Sequence, residues 1–85
     1  MKPIFQGKSV RVVERGARHT RLCVTGQYEG AWYTALTNIS EGQDTCTELE
    51  GYAVPPSDEF IAALHDYLTH THGDLYGQEM QRIVN

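Results

Sequence analysis

The sequence predicts an α+β fold: a three- to four-stranded antiparallel sheet with a C-terminal amphipathic helix packed on one face and a short second helix. Three observations carry this reading. Residues 9–39 hold three alternating runs rich in Val, Thr and aromatic residues, separated by glycine-containing turns. Residues 58–70 hold a single apolar stripe at helical spacing, behind two prolines and a serine. The change from strand to helix period happens once, so strands and helices are segregated.

The first strand is "SVRVVER" (9–15), with Val10 and Val12 on one face and Arg11, Val13 and Arg15 on the other. The second is "TRLCVTGQ" (20–27), with Leu22 and Val24 opposite Arg21, Cys23 and Thr25. The third is "AWYTALTNI" (31–39), with Trp32, Thr34 and Leu36 opposite Tyr33, Ala35 and Thr37. Taking "RGARH" (15–19) as the first loop pairs Val12 with Leu22 and Val10 with Val24. Taking "YEG" (28–30) as a three-residue loop, with Gly30 left-handed, pairs Leu22 with Leu36 and sets Trp32 over Gly26. Both turns then agree on a core face of Val10, Val12, Leu22, Val24, Trp32 and Leu36. "ELEGYAV" (48–54) suggests a short fourth edge strand, stopped by Pro55 and Pro56.

Ser57 is a natural N-cap, and Asp58 and Glu59 suit the positive end of a helix. Phe60, Ile61, Leu64, Tyr67 and Leu68 form its apolar stripe. Gly73 and Asp74 mark an end and a restart. "DLYGQEMQRIVN" (74–85) reads as a weaker second helix with Tyr76, Met80 and Ile83 on one side.

Eighty-five residues make a single domain, 1–85, with a thin core that favours support from a partner or a second copy. No apolar run approaches the roughly 20 residues that span a bilayer, and the N-terminus lacks an apolar signal core. A cytoplasmic location is the expectation, with Cys23 and Cys46 as reduced thiols. The net charge of −4 hides a split. Residues 1–38 carry +4 and residues 39–85 carry −8.

"HDYLTHTHGD" (65–74) concentrates three of the four histidines. On a helix, His65 and His70 diverge by about 140°, and His65 and His72 lie about 10 Å apart along the axis. Neither pair converges on one Zn²⁺. The segment reads as a helix end, with no metal and no cofactor expected. No phosphate loop, nucleophile elbow or productive carboxylate pair is present, and so small a domain leaves little room for a cleft of about 300 Å³. A non-catalytic role follows.

The expected function is a protein-binding regulator or inhibitor acting through an acidic surface. Glu48, Glu50, Asp58, Glu59 and Asp66 would meet a basic partner surface, for which a nucleic-acid-handling protein is one candidate. Tyr52 and Tyr76 would be aromatic anchors. The alternative is a small nucleic-acid-binding module using Arg11, Arg15, Arg18, Arg21 and Tyr33 as one basic patch. The sequence pI near 5.4 weighs against it. A homodimer that hides sheet surface stays open.

Overall fold

A computed structural model describes residues 3–84. The chain forms β1 (Phe5–Arg15), β2 (His19–Tyr28), β3 (Ala31–Ser40), β4 (Cys46–Leu49), α1 (Asp58–Thr71) and α2 (Gly73–Val84). The strands make one antiparallel meander in the order β1-β2-β3-β4. Both helices lie on one face, α1 against β1 and α2 against β2 and β3. The α+β architecture expected from the sequence is the one observed. Among the described residues no helix is long and apolar enough to cross a membrane.

The first hairpin keeps the expected pairing at its centre, Val10 with Val24 and Val12 with Leu22. Two irregularities bracket it, between Gly7 and Ser9 and between Val12 and Glu14. An extra residue in one strand resets the alternation beyond it. Arg15 therefore pairs with Thr20 on the helix-covered face, whereas the sequence grouped it with Arg11 and Val13.

The second hairpin differs from expectation by one residue. Its loop is Glu29-Gly30 alone, with Tyr28 paired to Ala31. Both loop residues are left-handed, φ 51° at Glu29 and 82° at Gly30. This matches the two-residue turn whose twist suits a hairpin, although its first position usually holds Asn, Asp or Gly. A slip of one residue reverses every side chain. Ala35, Thr37 and Ile39 therefore enter the core, while Trp32 stands 56% exposed on the other face. The ring expected over Gly26 is not Trp32. A Cβ on Gly26 would lie 2.7 Å from the Phe5 ring, and Tyr67 covers the paired Gly7.

The core is built from Phe5, Leu22, Val24, Ala35, Ile39 and Leu49 of the sheet, with Phe60, Ala63, Leu64, Leu68, Tyr76 and Ile83 of the helices. Val10 and Val12 are only partly buried, because β1 is an edge strand. Phe60 is the hub of an aromatic cluster, its ring centroid 5.7 Å from Phe5, 5.0 Å from Tyr28 and 5.2 Å from Tyr33. Ser57 caps α1 as expected: its hydroxyl accepts from the Phe60 N–H at 3.2 Å. The stripe is turned toward Ala63, which is buried, while Ile61, expected within it, lies on the exposed flank. The fourth strand begins two residues earlier than expected and stops at Leu49, because Gly51 turns left-handed at φ 84°.

α1 ends at Thr71, and the His72 N–H returns to the Leu68 carbonyl. The same His72 accepts the Tyr76 N–H through its carbonyl, so one residue closes α1 and opens α2. The end expected around His70–Gly73 is present, without a left-handed glycine. The expected limit of the second helix, Asn85, lies outside the described residues.

A buried carboxylate locks α2 to the first hairpin. Glu79 is 4% exposed. It accepts from Thr20 Oγ1 at 2.8 Å, Arg15 Nε at 3.0 Å and Arg82 Nη2 at 3.3 Å. Arg82 also donates to the Gly16 carbonyl at 2.7 Å. Burial alone would raise the Glu79 pKa. The hydrogen bonds from Arg82, Thr20 and Arg15, with the Arg15 charge, outweigh it and hold the value at about 2.

Candidate functional site

A groove runs between the start of β1 and the outer side of α1, with a volume of about 560 Å³. The expectation that so small a domain leaves little room for a cleft of about 300 Å³ is therefore overturned. Its apolar lining comes from Ile4, Phe5, Ala62, Ala63 and Tyr67. Asp58, Glu59 and Asp66 line it too. Asp58, Ala62 and Asp66 follow at four-residue spacing, which places them along one side of α1. None of the three acids has a cationic partner among the described residues. Ile4 is 69% exposed at its mouth.

The acidic residues named from the sequence do not form one surface. Asp58, Glu59 and Asp66 share this groove. Glu48 lies on the opposite face of the sheet, where its carboxylate accepts from Asn38 Nδ2 at 3.2 Å. Glu50 and Tyr52 sit in the exposed connection after β4, with the Tyr52 ring 6.0 Å from Tyr33. Tyr76, expected as an exposed anchor, is instead a core residue at 7% exposure. Burial also raises its phenol pKa. Its hydroxyl shares a hydrogen bond with His65 Nδ1 at 3.1 Å. The groove-lining residues that the sequence did not single out are Pro3, Ile4, Phe5, Ala62, Ala63 and Thr71.

The basic set disperses as well. Arg11 and Arg21 share the uncovered face of the sheet, where Arg21 donates to Asn38 Oδ1 at 2.7 Å. Arg15 is on the other face, bound to Glu79. Arg18 stands in the loop, 3.7 Å from Glu41. Tyr33 packs beneath the helices against Phe60 rather than beside Arg11. One continuous patch of these five residues does not form.

The histidines diverge. His70 Nδ1 donates to the Asp66 carbonyl at 2.7 Å, while His72 Nε2 shares a hydrogen bond with the Tyr67 hydroxyl at 2.9 Å. Among the described residues, no group of three or more His, Cys, Asp or Glu side chains could hold a metal ion.

Fold and groove together define a small meander-plus-two-helix domain with an acid-rimmed apolar cleft. No protein-family model matches the chain, and no curated protein or solved structure resembles it significantly.

Proposed function

We propose that the chain is a non-catalytic, protein-binding regulator or inhibitor whose working surface is the groove between β1 and α1. One observation supports this above the others: three carboxylates without partners among the described residues stand along an apolar cleft of about 560 Å³. Carboxylates that no described cation engages can meet one supplied from outside. The occupant is a segment of another protein with one or two large apolar side chains between Lys or Arg residues. Its apolar groups fill the space above Phe5 and Ala62, and its bases pair with Asp58, Glu59 and Asp66. Proteins that handle nucleic acid are rich in such segments, and a cytoplasmic setting suits them. Glu50 and Tyr52 lie outside the cleft and have no part in this reading.

The test is an array of amphipathic peptides in cationic and charge-reversed versions, probed with the wild type and with an Asp58→Lys/Glu59→Lys/Asp66→Lys variant. The wild type is expected to retain cationic peptides, weakening as salt rises, and the variant to lose at least about tenfold in affinity. Equal retention by the two proteins rejects the proposal. So does a wild type that ignores every peptide but retains a single-stranded oligonucleotide.

A further inference from the structure

The sheet face turned away from the helices has no element over it among the described residues, and its rows can be followed across all four strands. One row reads Arg11, Cys23, Leu36, Glu48, and the next reads Glu14, Arg21, Asn38, Cys46. Each alternates with a row of the core, so these side chains point away from the helices. The face also carries Trp32, which is 56% exposed. Lys8 Nζ stands over the Trp32 ring, 5.7 Å from its centroid and within cation–π range.

The Arg11 row is charged at both ends with opposite signs and uncharged between. Read backwards, it complements itself. We propose that this face is a homodimer interface, on which a second copy stacks about a two-fold axis parallel to the strands, between β2 and β3. That axis lays each row over its own reverse. Arg11 then faces the partner's Glu48, Cys23 faces the partner's Leu36, and Arg21 faces the partner's Asn38. A two-fold axis along the row would instead set Arg11 on Arg11 and Glu48 on Glu48, so the charges select one orientation.

The available area sets the strength. Four strands about 4.8 Å apart, with a mean length of about nine residues although β4 has only four, offer roughly 550 Å² per copy at about 3.3 Å per residue. About 1,100 Å² buried in total lies at the low end for specific complexes. The expected dimer is weak, with Kd of about 10–100 µM.

Sedimentation equilibrium from about 5 µM to about 1 mM chain spans that range. The wild type is expected to pass from monomer to dimer, and Leu36→Arg to stay monomeric throughout. Arg11→Glu and Glu48→Arg each weaken the dimer about five- to tenfold, and the double variant returns to within about twofold of the wild type. Both charged positions are exposed, so circular dichroism should report the same fold for all. A wild type that is monomeric at about 1 mM overturns the proposal. A double variant no better than either single change does so too, as does a face whose exposed Trp32 and Arg11 capture an oligonucleotide instead. The acid-rimmed groove lies on the other side of the sheet, so none of these outcomes touches that reading.

Discussion

Replacing Glu79 by Gln keeps the shape of the α2 clasp and removes its charge. In the wild type that charge faces two guanidiniums and one hydroxyl, all within 3.3 Å. The carboxyl pKa falls from an ordinary 4.5 to about 2. At about 1.4 kcal/mol per pH unit, the ceiling on the stabilisation is about 3 kcal/mol. Arg15 and Arg82 are themselves 54% and 34% exposed, so water screens the pair. Discounted for this, the charge is worth about 1–2 kcal/mol. Because the folded-state pKa lies below the unfolded one, the contribution is complete above about pH 4.5 and disappears as pH falls through about 2. Urea unfolding followed by far-ultraviolet circular dichroism measures it. Glu79→Gln is expected to lose about 1–2 kcal/mol at pH 7, and its gap from the wild type should narrow steadily below pH 4.5. A gap under about 0.3 kcal/mol at pH 7, or one unchanged at pH 2.5, would refute the electrostatic account and leave Glu79 as packing alone.

Two further substitutions test the hairpins. Glu29→Asn puts a residue tolerant of φ 51° into the first turn position and should raise stability by about 0.5–1 kcal/mol; a lowered urea midpoint would contradict the two-residue turn. Gly26→Ala places a Cβ 2.5 Å from the Gln6 carbonyl oxygen, a backbone atom that cannot swing aside, and should cost about 2–3 kcal/mol; a loss below about 0.5 kcal/mol would mean that β1 and β2 are not paired as described.

Fold class and element order were legible because strand and helix periods occupy separate halves of the chain. The β3 face was not, and the reason is local. Trp32, Thr34 and Leu36 are as apolar as Tyr33, Ala35 and Thr37, so burial preference does not separate the two sets. The next pair does: Ile39 is buried and Asn38 is not, so carrying the alternation two residues further selects the observed register. The turn misled because a glutamate holds its first left-handed position. Arg15 was misplaced by a bulge at Val13 that no residue type announces. Glu79 did leave a signal, an acid between Tyr76 and Ile83 on the apolar side of α2. The groove left almost none, since Ile4 precedes the first expected strand.

The charge split along the chain has a spatial division behind it. Where the halves attract, they do so at one end of the sheet, around the first hairpin: Arg15 meets Glu79 there, and Arg18 approaches Glu41. Most of the second half's negative charge is not used this way. Asp58, Glu59 and Asp66 stand toward the opposite end, beside Ile4 and Phe5, where no ion pair engages them among the described residues. An acid that closes the fold is buried, hydrogen-bonded and shifted in pKa, as Glu79 is. An acid available to a partner is exposed and, among the described residues, without an ion pair, as these three are. The two measurements should therefore separate cleanly: neutralising Glu79 should change stability and leave peptide retention intact, whereas reversing Asp66, the groove acid outside the first turn of α1, should weaken retention and leave the urea midpoint nearly unmoved. If reversing Asp66 lowered stability as much as Glu79→Gln does, its charge would belong to the fold, and the cleft would lose its claim as the working surface.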